Sequence, residues 1–268
     1  MQNRYQNNKD ESLFKEVIKT NPLSIIIFYL IVYIFGTFLA SIIVCAVVGA
    51  NNGLSITEAF QIGLASSTPE TNTNIYYEIQ AYTNLWAYIL MFVVVVFIGR
   101  DYLKEDFSVF KNYKKVLLFI LFAILFAAFN YGISALGQYL VSKVSNESTS
   151  ANESLLNNMI LSGHAIPVGI SVILLAPLTE ELVYRKSMME ITNKLHPLLQ
   201  ILLSALIFAL PHMLSSIGYN ALAFIILFIT YFLAGLALAL IYYFSKKNIY
   251  SSLLAHTFSN VFAFIQML

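Results

Sequence analysis

Long apolar runs recur along this chain, and they limit what it can fold into more than any other feature does. A helix needs about 20 apolar residues to cross the hydrocarbon core of a bilayer. Of the 268 residues, 59% are hydrophobic and only 11% are charged, whereas about a quarter of the residues of a soluble domain are charged. The sequence therefore predicts an all-α, polytopic transmembrane bundle.

The apolar runs predict about seven spanning helices. They cover residues 23–50, 84–98, 116–141, 166–178 with its continuation, 198–213, 221–244 and 249–268. An interfacial helix hidden in the 51–79 loop would raise the number of helices to eight. The polar stretch 145–158 is interpreted as a solvated outer loop.

Basic residues mark every second connection between the predicted spans. They lie in 1–22, 99–115, 185–194 and 246–247, whereas 51–79 and 215–220 contain none and 142–165 contains one. Because Lys and Arg concentrate in cytoplasmic loops, this alternation predicts a cytoplasmic N-terminus. Residues 1–22 are then a cytoplasmic tail, and the first apolar run is retained as a span.

Charge and cysteine content exclude several classes of function. The net charge of +1 gives no basic surface of the kind that binds nucleic acid, so nucleic acid is not expected as a partner. The single cysteine, Cys45, cannot form an intramolecular disulfide. It lies in an apolar run and is predicted to be a packing residue.

The segment APLTEELVYRK, residues 176–186, places ionisable side chains at the end of an apolar run. Such side chains are costly in a bilayer and usually face the bundle interior. If the helix continues, Glu181 and Arg185 meet on one face, while Glu180 is turned by about 100 degrees. One carboxylate would then be neutralised and the other would point elsewhere. A solvated cap at a helix end explains the same residues equally well.

Two further predicted helices carry polar groups within apolar sequence. His212 follows Phe208 by one turn, and His256 and Asn260 share one face of the last run. An interfacial position or a structural hydrogen bond between helices explains each of them when it is taken alone. Together they favour a common site, because three helices then bring the kinds of group that hydrolysis requires.

Other polar and small residues are interpreted as structural. His164 and His196 look like loop and turn residues outside any site. Gly235 and Ala239 form a small-xxx-small face that suits close contact between helices.

The polar motifs, taken in chain order, resemble those of a known family. The pattern E-E-x-x-x-R at 180–185, F-x-x-x-H at 208–212 and H-x-x-x-N at 256–260 looks like the three signature motifs of the CPBP intramembrane proteases. That group includes type II CAAX prenyl proteases and bacteriocin-processing or immunity proteins. The resemblance covers about residues 116–268, and 23–115 is predicted to be a transmembrane region without a motif.

The resemblance implies a helical bundle around a polar cavity open to the cytoplasm, and hydrolysis of a peptide bond in a membrane-associated peptide or protein. Glu180 and His212 would activate water, and His256 and Asn260 would stabilise the oxyanion. Glu181, whose charge an arginine balances, leaves Glu180 as the more plausible base. The implied catalytic set is Glu180, Glu181, Arg185, His212, His256 and Asn260.

The need for a metal cofactor stays open at this stage. Members of the family are often called metalloproteases, and Glu180, His212 and His256 supply the two imidazoles and one carboxylate that can hold a catalytic zinc ion. The HExxH motif is missing, however, and the ligands would come from three helices. The sequence slightly favours metal-free glutamate catalysis, with a divalent metal such as zinc as the alternative.

A second class of function fits the same residues. A non-catalytic membrane immunity or regulatory protein would bind a peptide or partner in the cavity without cleaving it. The Asn-, Lys- and Ile-rich composition indicates a low-GC bacterium, which favours a peptide precursor over a prenylated substrate. The expected location is the bacterial cytoplasmic membrane, with the lipid bilayer and a membrane-associated peptide or protein as partners.

Overall fold

The computed structural model describes residues 21–65 and 73–268, and every secondary-structure element in those ranges is helical. Most of the predicted cytoplasmic tail, residues 1–22, lies outside them. The described part confirms the predicted all-α bundle. Its helices are α1 Pro22–Asn51, α2 Ile56–Leu64, α3 Thr73–Asp106, α4 Tyr113–Val144, α5 Ala151–Met159, α6 165–191, α7 Pro197–Met213, α8 Ala221–Phe244 and α9 Ile249–Met267.

Six helices of the described ranges are long and apolar enough to cross a membrane, with α5 and α6 taken as one. The sequence predicted seven, and the difference is α9. Serine, histidine and asparagine side chains lower the hydropathy of this helix of 19 residues. It is nevertheless part of the bundle, because it packs along α4 and α8 and buries Ser252, His256 and Ser259.

The short helix expected in the 51–79 loop is α2. Ser55 and Glu58 form a capping box at its start: the Ser55 N–H donates to the Glu58 carboxylate at 2.8 Å, and the Glu58 N–H donates to the Ser55 hydroxyl at 3.3 Å. This exchange satisfies backbone donors that a helix start leaves unpaired. The Ser55 hydroxyl and the Ser55 N–H, which both donate to the Glu58 carboxylate, lower the pKa of that group.

Two boundaries differ from those predicted from hydropathy. The run 84–98 is only the centre of α3, because the polar residues that flank it remain helical. The interpretation of 145–158 as a solvated loop is wrong for its second part, which forms α5. Ser150 caps that helix by accepting from the Glu153 N–H at 3.1 Å, and Met159 at its end is buried.

A kink at Gly163 joins α5 to α6. Gly163 has φ of +91°, a conformation that glycine adopts without steric cost. Within α6, the segments Ile170–Leu175 and Glu181–Ser187 are π-helical, and such wide turns occur often at functional sites. The second one begins directly after Glu180.

Helix α6 lies at the centre of the bundle, in contact with α1, α3, α7 and α9. Leu182 and Val183 are buried in the main apolar core, where Ile25 of α1 also lies. On the outside of the bundle, large apolar side chains such as Phe35 and Leu174 are exposed. This distribution suits a protein surrounded by lipid, where the exterior is as apolar as the core.

The predicted close contact of α7 and α8 is present. A Cβ atom on Gly235 would lie 2.9 Å from a ring carbon of Phe208 and 3.0 Å from the Ala205 carbonyl oxygen. Only glycine therefore allows the two helix backbones to approach this closely. Ala239, one turn further along α8, is fully buried.

Asp106 holds the helix ends together at the basic end of the bundle. Its carboxylate accepts from Lys186 Nζ of α6 at 3.1 Å and from the Ile249 N–H at the start of α9 at 2.8 Å. Its backbone carbonyl accepts from the side-chain amide of Asn248 at 2.9 Å. These bonds fix the start of α9 relative to α3 and α6.

Candidate active site

A cavity of ≈ 440 Å³ lies inside the bundle, and its wall includes residues of α1 and of α3–α9. Four of the predicted site residues line it: Glu180, His212, His256 and Asn260. The other two, Glu181 and Arg185, are fully buried. The structure thus brings together side chains from α6, α7 and α9 that are far apart in sequence.

The cavity extends from the middle of the bundle toward the end with few basic residues. The position of His212 shows this. His212 is the sixteenth residue of α7, which starts at the basic end, so at 1.5 Å per residue it lies about 22 Å from that end. The lining also includes Asn152 and Glu153 of α5 at the opposite end. The sequence predicted a cavity open to the cytoplasm and a cytoplasmic basic end, and both stay predictions.

Glu181 is paired on both sides of its carboxylate. Its Oε2 lies 3.3 Å from Arg185 Nε, which forms the predicted i,i+4 ion pair, and its Oε1 accepts from His256 Nδ1 at 3.0 Å. Both side chains of the ion pair have zero exposure. A buried charge needs such partners because its desolvation is costly. Glu181 therefore orients His256 and has no free face toward the cavity.

Arg185 is held by an aromatic ring as well as by Glu181. Its guanidinium lies 4.4 Å from the ring centre of Phe208, and its Nη2 donates to the Gly235 carbonyl at 3.5 Å. A cation over an aromatic face gains electrostatic stabilisation, which increases when water is excluded. Arg185 thereby ties α6 to α7 and α8.

Glu180 has a different environment from its neighbour. Its Oε1 accepts from the Tyr88 hydroxyl of α3 at 3.1 Å. Its Oε2 is buried and has no hydrogen-bond partner among the described residues, and it lies 3.9 Å from His256 Nε2. A buried unpaired carboxylate oxygen is costly and calls for an explanation. Here that oxygen belongs to a residue on the cavity wall.

His212 has a defined tautomer and ring position. Its Nδ1 lies 2.9 Å from the Phe208 carbonyl oxygen, which can only accept, so Nδ1 carries the proton and Nε2 is left with its lone pair. The ring lies between Phe208 and Tyr231, with ring centres 4.7 and 4.9 Å away. Phe208 also contacts the ring of His256, with ring centres 5.7 Å apart, so one ring packs against both histidines.

Asn260 lies one turn beyond His256 on α9. Its side-chain amide donates one N–H to the Val172 carbonyl of α6 at 2.7 Å. Val172 belongs to the first π-helical segment of α6. The bond fixes the carboxamide on the cavity wall and leaves its second N–H for another acceptor.

The two remaining histidines lie apart from these residues. His196 caps the start of α7 by accepting from the Leu198 N–H at 3.3 Å. His164 lies at the kink between α5 and α6, with its ring centre 6.1 Å from that of Tyr82. Neither lines the cavity, in agreement with their interpretation as loop and turn residues.

Sequence reasoning missed the tyrosines of the site. Tyr88 donates to Glu180, and Tyr231 stacks on His212 while its hydroxyl pairs with Ser150 at 2.8 Å. The chain has 17 tyrosines, so residue type alone does not distinguish a tyrosine of the site from the others. The spacing of four between Asn84 and Tyr88, two polar residues on one face of an apolar helix, is the signal that could have indicated Tyr88.

The donor set proposed for a metal does not fit as arranged. Within 21–65 and 73–268, no group of three His, Cys, Asp or Glu side chains converges on one point where a metal ion could bind. Glu180 and His256 approach each other, with 3.9 Å between Glu180 Oε2 and His256 Nε2, and Phe208 contacts both histidine rings. We therefore derive no step through a metal.

The fold and the site define a class of protein: a polytopic membrane bundle with a buried carboxylate, imidazole and carboxamide groups around an internal cavity. Residues 162–262 match the family model described as Type II CAAX prenyl endopeptidase Rce1-like. This segment contains all six predicted site residues, and the match confirms the resemblance to the CPBP family. At the level of the family it supports an intramembrane endopeptidase with a peptide or protein substrate in the bilayer. No curated protein and no solved structure gave a significant match.

Proposed function

We propose that this protein is an intramembrane endopeptidase in which Glu180 is the general base. The observation that carries the proposal is the environment of the Glu180 carboxylate. One of its oxygens is fixed by Tyr88, and the other is buried, unpaired and on the wall of the cavity. A general base must be within hydrogen-bond reach of the proton that it removes. A water molecule in the cavity would satisfy the free oxygen and be held for attack.

His212 is proposed to assist Glu180 in activating this water. Because its Nδ1–H is donated to Phe208, its Nε2 is the acceptor nitrogen, and the flanking rings keep its orientation. Two acceptors from different helices can hold a water molecule with one lone pair directed at a carbonyl carbon. This arrangement supplies the orientation on which much of catalysis depends.

His256 and Asn260 are proposed to stabilise the oxyanion. For His256 this role requires a proton on both ring nitrogens. Its Nδ1–H then donates to Glu181, and its Nε2–H is free for a substrate carbonyl oxygen. The second amide N–H of Asn260 supplies another donor. Donors that are fixed before the reaction stabilise the charge that develops in the transition state.

The proposed reaction is direct hydrolysis. Water adds to the peptide carbonyl carbon while Glu180 takes its proton, and the carbonyl oxygen becomes an oxyanion facing His256 and Asn260. The C–N bond then breaks, and the leaving amine takes the proton from Glu180. The products are a carboxylic acid and an amine, which exchange a proton to give a carboxylate and an ammonium group, and the carboxylate of Glu180 is regenerated.

The proposed setting is the cytoplasmic membrane of a bacterium, with the basic end of the bundle in the cytoplasm. In that orientation the cavity extends from the membrane centre toward the outer side. A peptide precursor that crosses or inserts into the bilayer would reach it there, which favours a bacteriocin-type or signalling-peptide precursor as substrate. Labelling of a cysteine placed at Lys194 by an impermeant reagent from the outside of intact cells would contradict this orientation.

The test uses purified protein in lipid vesicles and a pool of internally quenched apolar peptides. Glu180→Gln keeps the size and the hydrogen-bond acceptor for Tyr88 but removes the base, and we expect the cleavage rate to fall by about 100-fold or more. Glu190→Gln is the matched control, because Glu190 lies on the same helix and is exposed. Its rate should equal that of the parent.

Equal cleavage by Glu180→Gln and Glu190→Gln would refute the proposed base. The alternative function, an immunity or regulatory protein that binds without cleaving, would be indicated if the parent bound the peptides but released no fragments. Mass spectrometry of the products separates the two outcomes, because hydrolysis gives two fragments whose masses sum to that of the peptide plus water.

A further inference from the structure

Thr83 of α3 has an unusual environment for a helical threonine. Its exposed fraction is 9%, and its hydroxyl group is buried without a hydrogen-bond partner among the described residues. An unpaired buried hydroxyl is costly. Thr83 lies on the wall of the catalytic cavity, so a molecule in that cavity could supply the missing partner.

Three other threonines, two within helices and one directly after α6, make a bond that Thr83 lacks. The hydroxyls of Thr179, Thr192 and Thr230 each donate to the carbonyl four residues earlier, at 2.8, 2.8 and 3.0 Å. This local bond is the usual way in which a threonine in an apolar helix satisfies its hydroxyl. The hydroxyl of Thr83 makes no such bond, so it is free for a partner outside its own helix.

Thr83 also stands where two cavities meet. A second cavity of ≈ 410 Å³ lies between α1, α2 and α3, and its largely apolar lining includes Phe38, Phe60 and Ile79. The two cavities share a small set of wall residues: Tyr33, Thr37, Gln80 and Thr83. A chain that occupies both cavities must therefore pass Thr83.

A polar stripe on α3 leads from this junction to the catalytic carboxylate. Gln80, Thr83, Asn84 and Tyr88 all line the main cavity, and Tyr88 ends the stripe with its bond to Glu180. Asn84 makes no side-chain hydrogen bond to the residues that the structure describes. The stripe is about 12 Å long at 1.5 Å per residue, which matches about four residues of extended peptide at about 3.3 Å each.

We propose that Thr83 and Asn84 bind the backbone of an extended substrate segment, while an apolar side chain of that segment lies in the second cavity. This inference rests on the proposed function, since it names the groups that position its substrate. An extended peptide has carbonyl and N–H groups that no helix satisfies, and in a membrane they must be paired. The Thr83 hydroxyl can donate to a substrate carbonyl, and the Asn84 carboxamide can both donate and accept.

This assignment gives the two cavities different tasks. The main cavity holds the peptide backbone against Glu180, and the second cavity selects a large apolar side chain about four residues from the cleaved bond. Both binding residues lie on α3, outside the segment 162–262 that matches the protease family. Substrate preference would thus be set by a part of the chain that carries no family motif.

The test compares Thr83→Val with Thr230→Val. Both changes replace a threonine hydroxyl by a methyl group of similar size, but the Thr230 hydroxyl is already bonded within its own helix. With the best-cleaved member of the peptide pool, we expect Thr83→Val to raise KM by about 3- to 10-fold at unchanged kcat, the effect of one lost hydrogen bond. Thr230→Val should stay within about 2-fold of the parent, because local back-bonding contributes little.

A binding measurement separates this inference from the proposed function. Photo-crosslinking of the same peptides, each carrying photo-leucine, to Glu180→Gln protein reports binding without cleavage. Weaker crosslinking after Thr83→Val supports the inference even if the parent cleaves nothing, in which case only the proposed function fails. Equal KM and equal crosslinking for Thr83→Val and Thr230→Val would overturn the inference. No crosslinking to Glu180→Gln protein that keeps Thr83 would overturn it as well.

Discussion

Helices α6–α9 and helices α1 and α3 both form part of the wall of one cavity, and they contribute different kinds of side chain to the site. The side of α6–α9 supplies groups that can carry charge: Glu180 and two histidines line the cavity, and the buried ion pair of Glu181 and Arg185 supports them. The side of α1–α3 supplies hydroxyls and amides, among them Thr83, Asn84 and Tyr88. The chemistry and the binding of substrate are thus proposed to reside on different parts of the chain.

The physical cost of each group explains why only one side has a recognisable motif. A charged side chain in a bilayer costs several kcal/mol unless it is paired, so its partners must lie at defined spacings. A hydroxyl or amide costs much less, and many sequences can accommodate it. The charged side therefore forms a pattern such as E-E-x-x-x-R, whereas the neutral side shows only scattered polar residues.

The largest expected effect comes from removing one partner of the buried ion pair on the charged side. Arg185→Met leaves Glu181 buried without its cation, and removing one partner of a buried pair typically costs about 3 to 5 kcal/mol. We expect a marked fall in the thermal unfolding midpoint in detergent, followed by the fluorescence of the single tryptophan, Trp86. Lys194→Met is the control, because Lys194 is exposed in the turn after α6. Similar midpoints for the two variants would contradict a structural role for the ion pair.

The charged side is also the part of the site that could be predicted from sequence. The spacing of four residues between Glu181 and Arg185 indicated their contact, and the apolar runs indicated the helices that carry them. Glu180 and His212, which the sequence assigned to one site, line the same cavity. These predictions succeed because they depend on local geometry and on the high cost of buried charge.

The neutral side and the helix ends could not be predicted in this way. Thr83 differs from Thr179 or Thr230 only in the direction of its hydroxyl, which depends on neighbours in three dimensions. The helix α5 was missed because its amphipathic pattern is short and begins in a polar stretch. The partner of His256 was also missed: Glu181, not the cavity, takes its Nδ1, and only the packing of α9 against α6 determines this.

A smaller effect is expected from the contact that supports the charged side. Gly235→Ala places a methyl group 2.9 Å from Phe208, the ring that contacts Arg185 and the two histidines. Overpacking of this kind costs about 1 to 3 kcal/mol, and the displaced ring should also lower the cleavage rate. Gly132→Ala is the matched control, since no atom lies within 4 Å of its added Cβ. It should be neutral or slightly stabilising, because alanine favours the helix. Equal stability and activity of both variants would show that the close approach of α7 and α8 is not needed.

The smallest expected effect tests whether the two sides of the cavity are separate in function. Tyr88→Phe removes the one hydrogen bond that links α3 to Glu180 and keeps the ring in place. One such bond contributes about 0.5 to 1.5 kcal/mol, so kcat should fall by about 3- to 10-fold. KM should stay unchanged if Tyr88 positions the base and does not bind substrate. Tyr82→Phe, on the same helix but with a partly exposed ring, should leave both constants unchanged. A rise in KM instead would place Tyr88 with Thr83 and Asn84 among the binding groups, and the neutral side would then serve binding alone. A fall in kcat would mean that α3 also contributes to the chemistry, through its hydrogen bond to the proposed base, Glu180.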